Sequence, residues 1–311
     1  MLSTFVYFDT MKPEDYFVKY LTLGKKDIDW GLQVITTGFT KIPPSVPYPP
    51  FKHPDDHYFT WERGRVLSEY QIIYITRGKG TCEFEGKPAI TIHEGTVILI
   101  YPGMWHRYRP EPETGWDEYW IGFNGKYAQH LMGKNFFSVQ QPVLSIGQDE
   151  NLLRLFQQVF ESVREENIGF QQVISAITVQ LLANIYAATK RKGFEDSSFE
   201  NIIKKVKCRL LENIHGEVDL KKIADDLNVS YSWLRKTFKY FTGISPHQYL
   251  LQLRIQKGRH LLAITSKSIK EVADLTGFES QYYFSRIFKQ KTGINPSDFR
   301  SHMQGKQRNE V

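Results

Sequence analysis

The 311 residues are enough for two domains with cores of their own, and 41% apolar with 24% charged residues is the balance of a water-soluble chain. Charge divides unevenly: residues 190–311 hold 23 Lys and Arg against 13 Asp and Glu, net +10, which leaves 17 against 21, net −4, for residues 1–189. The second half therefore suits a polyanionic partner and the first does not. Cys82 and Cys208 stand far apart, which excludes a disulfide framework and any metal site of paired cysteines. The first nine residues lack the basic start and apolar run of a signal peptide. The longest apolar run, Val97 to Tyr101, is far short of the ~18 residues of a membrane span, so a cytoplasmic protein with no membrane contact is expected.

Residues 1 to about 40 read as an arm in which 28–35 can hold a short strand. Ile42 to Pro50 carries five prolines in nine residues and must be extended or turning, either as a linker or as a loop along a sheet edge. From Tyr58 to Phe123 short strands recur about every ten residues: Tyr70–Ile75, Thr81–Phe84, Ala89–Ile92, Thr96–Tyr101 and Tyr119–Phe123. Turns are predicted at Arg77–Gly80, Glu85–Lys87, Glu94–Gly95 and Pro102–Gly103. That rhythm predicts an antiparallel sandwich or barrel. The period then lengthens: Leu152, Leu155, Phe156, Val159, Phe160 and Val163 fall at helical spacing, as do Ile174, Ile177, Leu181 and Ile185. These helices can cover the barrel or pair with a second copy. Charges, Gly193 and two serines mark a linker at 191–198.

Beyond the linker the chain repeats itself. Leu220–Val229 resembles Ile269–Phe278, with Ala224 and Ala273 offset by 49. Farther on the offset is 50, matching Phe238-Lys239 to Phe288-Lys289 and Thr242–Pro246 to Thr292–Pro296. Each unit reads as a short helix, a turn and a second helix that ends at Gly and Pro. A connecting helix over Pro246–Leu262 joins them, with Gly258 in its interior. In the second helices Ser230 and Ser280 are placed to cap, while Leu234, Phe238 and Phe241, or Phe284, Ile287 and Phe288, form the buried stripe. The opposite faces carry Ser232, Arg235, Lys236 and Lys239 in one, and Gln281, Tyr282, Ser285, Arg286 and Lys289 in the other. Two such faces fit successive major grooves ~34 Å apart on double-stranded DNA.

Residues 199 to 300 resemble the DNA-binding domain of the AraC/XylS family of bacterial transcription regulators. Ile223-Ala224, Leu234, Phe238-Lys239, Thr242-Gly243, Ser245-Pro246, Leu253-Arg254-Ile255, Val272-Ala273, Gly277-Phe278, Tyr283–Lys289, Gly293 and Pro296 carry the resemblance. It implies base reading by Ser232, Arg235 and Lys236 and by Gln281, Tyr282 and Arg286. The chemistry is suitable, since Arg and Lys donate to guanine and Gln pairs with adenine. Lys239 and Lys289 are assigned to phosphates.

Residues about 40 to 125 resemble that family's cupin-like effector domain, through Glu69-Tyr70-Gln71, Gly78-Lys79-Gly80, Gly95, Pro102–His106 and Gly115–Trp120. Arg63 lies fourteen residues before Arg77, the spacing of a sugar-binding arginine in the family's arabinose pocket. Tyr108, Glu118 and Trp120 align with later pocket members, Glu118 in place of a histidine. Trp61 offers a stacking face, and so does Trp105. His106 alone sits at a metal-type position, and one His is not a metal site, so His106 is counted with Trp61, Arg63, Tyr108, Glu118 and Trp120 as effector-binding.

The expected fold class is thus α+β in two domains. The first, 1–190, is an antiparallel β-barrel of cupin-like jelly-roll type at about 40–125, followed by helices at about 151–188. The second, 199–311, is an all-α double helix-turn-helix. The expected function is an effector-controlled transcription regulator, an activator, with no catalytic residues and no cofactor. Its expected partners are promoter DNA, a small-molecule effector of sugar type, a second copy of the chain and RNA polymerase. The rival is a metal-dependent cupin enzyme fused to a DNA-binding domain. A repair methyltransferase would need a reactive cysteine site, which Cys82 and Cys208 do not make, and a DNA-packaging protein would bind every sequence alike.

Overall fold

Side chains alternating with a period of two build one half of the chain, and helical stripes build the other. The computed structural model describes residues 15–49, 60–191 and 198–308, and the chain divides into two compact units, 1–195 and 196–311. The first fourteen residues of the arm and most of the linker at 191–198 lie outside the described residues.

The first unit runs β1 (Tyr16–Tyr20), α1 (Lys25–Asp29), β2 (Gln33–Ile42), β3 (Arg65–Val66), β4 (Tyr70–Phe84), β5 (Ile90–His93), β6 (Thr96–Ile100), β7 (Trp105–Pro110), β8 (Trp116–Asn124), α2 (Lys126–Gly133), β9 (Val143–Ser145), α3 (Glu150–Glu165) and α4 (Phe170–Arg191). Every strand pair is antiparallel. One layer is ordered β1-β2-β8-β4-β6-β9, and the second pairs β3 with β7, and β7 and β5 with β4. The pairing does not close into a ring, so the cupin-like fold is an open double layer among the described residues.

The turn predicted at Arg77–Gly80 is corrected by the structure. β4 continues through it as a 15-residue strand with a bulge between Ile75 and Arg77, passing from one layer to the other. Glycine is needed there for space: a Cβ at Gly78, which has φ +86°, would lie 2.0 Å from the Gly115 carbonyl. At Gly80 a Cβ would lie 2.4 Å from the Trp116 ring. The local signal was real, but it marks a bend inside a strand.

Alternation then sorts the core. Ile72, Tyr74, Val97, Leu99, Ile121 and Phe123 share one cluster with Phe156, Val159, Phe160, Ile174, Leu181 and Ile185 of α3 and α4. The intervening Ile73, Ile75, Ile98, Ile100 and Trp116 face the second layer with Cys82, Phe84 and Tyr108. Helix α4 is long and apolar enough for a membrane span by length and composition. Its Ile174, Leu181, Leu182 and Ile185 are buried in the first cluster.

The second unit is helical: α5 (Ser198–Glu212), α6 (Leu220–Asp226), α7 (Tyr231–Thr242), α8 (Pro246–Ile264), α9 (Ile269–Leu275), α10 (Gln281–Thr292) and α11 (Pro296–Arg308). It has two separate cores. Ile203, Val206, Leu210, Ile223, Leu234, Phe238 and Leu250 make one. Ile255, Leu262, Val272, Phe278, Phe284, Phe288 and Phe299 make the other. Only α8 contributes to both. It starts with a capping box between Ser245 and Gln248 around Pro246. Its Gly258 lets α10 come close, because a Cβ there would meet the Phe284 ring at 2.9 Å.

Candidate nucleic-acid interface and interior pocket

The two halves of the repeat fold alike, down to their caps. Ser230 accepts from the Trp233 amide and Ser280 from the Tyr283 amide, each at 3.2 Å, so α7 and α10 start at equivalent points. Both end at a left-handed glycine, Gly243 or Gly293. The helix-to-helix turns match as well: Asn228 (φ 55°) takes the left-handed position that Gly277 (φ 71°) takes 49 residues later. Asn tolerates that conformation, which kept the sequence echo imperfect at a geometrically identical site.

Burial of Leu234 and Phe238, and of Phe284 and Phe288, turns the opposite faces to solvent. Ser232, Arg235, Lys236, Lys239, Gln281, Tyr282, Arg286 and Lys289 are all exposed there, and Ser285 is half-buried. Tyr282 is 78% exposed, unusual for a large ring with no core role. Arg235 lies over the Tyr231 ring at 5.6 Å and Arg286 over the Tyr283 ring at 5.3 Å, so both guanidinium groups are held on rigid aromatic supports. A groove of about 750 Å³ is lined by Ser232, Arg235, Lys236 and Lys239 with His247 and Gln248 from the start of α8. The α8 pair was missed in the sequence because it belongs to the connecting helix.

In the first unit a polar cluster sits between the layers. The Tyr48 hydroxyl donates to both Glu118 oxygens at 3.2 and 3.1 Å. Arg65 donates to His106 Nε2 at 3.2 Å and to the Tyr108 hydroxyl at 2.7 Å. His106 Nδ1 donates to the Met104 carbonyl at 3.0 Å, which leaves Nε2 as the acceptor. Burial holds the imidazole down to about 3, with the Arg65 charge adding to it. Burial pushes the Glu118 carboxyl up to about 7, against the opposing pull of the Tyr48 hydroxyl and Arg65. The same burial raises Tyr108 to about 12. A histidine whose free nitrogen faces a guanidinium is a poor metal ligand, and no three His, Cys, Asp or Glu side chains among the described residues converge on one point.

Behind this cluster the wall is polar and incompletely satisfied. Thr40 stands opposite Glu118 across β2 and β8, and Thr36 and Gln71 flank Gly122. Thr36 Oγ1, Thr40 Oγ1 and Gln71 Oε1 are buried with no hydrogen-bond partner. Trp120 lies in the same face, over Gly38, where a Cβ would meet its ring at 2.5 Å.

Of the six residues expected to bind an effector, the fold gathers His106, Tyr108, Glu118 and Trp120 on this interior. Trp61 and Arg63 stand elsewhere. Trp61 is stacked by Arg107 at 4.3 Å and Arg109 at 3.9 Å, and the exposed Arg63 offers its carbonyl to Trp105 Nε1 at 3.1 Å. The arginine in the cluster is Arg65, two residues on, because β3 begins there and pairs Arg65 with His106. Spacing from Arg77 could not distinguish the two. Tyr48 was hidden in the proline-rich stretch. Gln71 carried a signal: a period of two places it in the apolar row of Ile73 and Ile75.

Residues 46–182 match the family described as AraC-like ligand binding domain, and residues 223–302 match a helix-turn-helix domain. The chain is 26% identical over 259 residues to the MmsAB operon regulatory protein of Pseudomonas aeruginosa, covering 81% of both chains. It is 23% identical to the raffinose operon transcriptional regulatory protein RafR of Pediococcus pentosaceus, covering 78% of this chain and 88% of that one. To the lactose operon transcription activator of Staphylococcus xylosus it is 25% identical, covering 76% and 85%.

Proposed function

We propose that this chain, which belongs to the AraC family of transcription regulators, reads DNA with α7 and α10 and answers to a hydroxylated small molecule held inside its cupin-like domain. The observation that carries the reading is the repeated pair of capped helices with matched outward polar faces in a half of the chain, residues 190–311, of net charge +10. In it Ser232, Arg235, Lys236, Gln281, Tyr282 and Arg286 contact bases, while Lys239, Ser285 and Lys289 contact the backbone.

The effector chemistry is argued from the interior. Thr36, Thr40 and Gln71 offer unused acceptors, Glu118 is close to its neutral point, and Arg65, Tyr48, Tyr108 and the Trp120 ring complete a wall able to stack and hydrogen-bond. A ligand with several hydroxyl groups, such as a sugar, fits that donor and acceptor set. RafR and the lactose operon activator are named for sugar operons. The lactose operon activator is named as an activator, and the reading has this chain act likewise, in the cytoplasm, as a dimer that contacts RNA polymerase and without catalysis of its own. Effector binding changes which half-sites it occupies.

A thermal-shift screen of sugars and small metabolites identifies the effector. DNA selection from a random pool, with and without that compound, should then give two different half-site preferences. An identical preference in both conditions would remove the effector-control part of the reading. Stoichiometric, tightly held metal in the purified protein would instead favour an enzyme.

A further inference from the structure

The second unit has two lobes with separate hydrophobic cores, so the angle between α7 and α10 is set by α8 and by whatever else joins the lobes. A set of contacts does so at the loop after α5. Arg254, at the middle of α8, donates from Nε to the Ile214 carbonyl at 3.0 Å and from a terminal nitrogen to the Gly216 carbonyl at 2.6 Å. Between those residues His215 reaches into the other lobe, where its Nδ1 bonds the Leu275 carbonyl at the end of α9. Lys257 Nζ meets His215 Nε2 at 2.7 Å. The turn of the second lobe closes on the same point. A Cβ at Gly277 would lie 2.6 Å from the Ile214 carbonyl and 2.9 Å from the Arg254 guanidinium, and φ +71° already restricts that position to glycine or a near equivalent.

We propose that Arg254, His215 and Gly277 form a latch between the two lobes that fixes the spacing of DNA subsites the protein accepts. It rests on the reading of α7 and α10 as groove helices. Arg254 is a positioning residue: its Nε and one terminal nitrogen donate to carbonyls of the first lobe, and its guanidinium lies 6.0 Å from the Phe278 ring of the second. Planarity matters, since one rigid fork holds two carbonyls at a fixed separation, a constraint that a lysine ammonium on a flexible stem does not impose. With the latch closed the two readers keep one phase along the duplex. With it open, α8 alone joins them and the lobes can twist to follow other spacings.

The test uses the full-length protein and a duplex it selects from a random pool. Arg235→Ala and Arg286→Ala locate the two subsites, and duplexes with one base pair inserted or removed between them measure the spacing penalty. The unaltered protein should lose about tenfold or more for either change, because each base pair shifts and rotates the second groove site. Arg254→Lys and Gly277→Ala should cut that penalty to about a third while largely keeping affinity for the selected spacing. His215→Ala, at an exposed position that leaves both cores intact, should do the same and guards against a folding defect. An unchanged penalty in His215→Ala and Arg254→Lys, or an equal loss at every spacing, would overturn the latch. No spacing penalty in the unaltered protein would overturn the two-reader reading, and the latch with it.

Discussion

Arg286 and Lys289 lie on one exposed face of α10 and are expected to contribute differently to DNA binding. Arg286, braced on Tyr283, can make the bidentate guanine contact. Arg286→Ala should cost ~1–3 kcal/mol at one base position, measured against duplexes varied at each position in turn. An equal loss on every duplex would reduce it to a phosphate contact. Inside the first unit, Glu118 and His106 titrate in opposition. Glu118 is raised from 4.5 to about 7, so its contribution to stability is complete below 4.5 and lost as pH rises towards 7. His106 is lowered from 6.5 to about 3, so its contribution is complete above 6.5 and lost as pH falls towards 3. Between 4.5 and 6.5 the two effects oppose each other and flatten the profile. Glu118→Gln should therefore leave a stability that falls from pH 6.5 downward, and His106→Gln one that rises as pH falls from 7 to 4.5. Thermal midpoints across pH 4–8 read both; two single variants that keep the flat profile would show that these groups do not titrate as described.

At the scale of elements, α8 carries a test of packing against propensity. Gly258→Ala gains about 1 kcal/mol of helix propensity. It also places a methyl 2.9 Å from a Phe284 ring that is fully buried and hemmed in by Phe278 and Phe288. Overpacking of that kind costs about 1–3 kcal/mol, so the variant should be less stable by about 1 kcal/mol in denaturant unfolding of the second unit. A more stable variant would mean that the ring has room to move. The sequence revealed the helices of this unit well because caps, stripes and stops agree within each of them. It revealed the strands unevenly. β4 was cut in two because Gly78 and Gly80 read as turn residues when their task is to admit Gly115 and Trp116. β7 was missed because Trp105–Pro110 alternates bulky and charged residues with no aliphatic run. The interior site was half legible for the same reason. Trp120 lies in a strand the alternation shows, and Tyr108 and Glu118 were reached through the family resemblance, whereas Arg65 and Tyr48 arrive from a two-residue strand and an irregular segment.

For the molecule as a whole, charge differs between the two halves that sequence places end to end: net −4 before residue 190 and net +10 from it onward. The positive half predicts how affinity responds to salt. Each phosphate neutralised by a Lys or Arg releases counterions, so the logarithm of affinity falls linearly with the logarithm of salt, by about 0.9 per contact. Lys239 and Lys289 occupy equivalent, exposed places one turn before the glycine ends of α7 and α10. Lys239→Ala and Lys289→Ala should each lower the salt slope by about 1 and weaken all duplexes alike. Arg286→Ala, by contrast, should change the ranking of duplexes. Fluorescence anisotropy at four or five salt concentrations, on the selected duplex and on a scrambled one, separates the two behaviours. If the lysine variants alter the ranking while the slope stays fixed, the division between gripping and reading along these helices is wrong, and the basic surface around the reading faces carries the phosphate contacts instead.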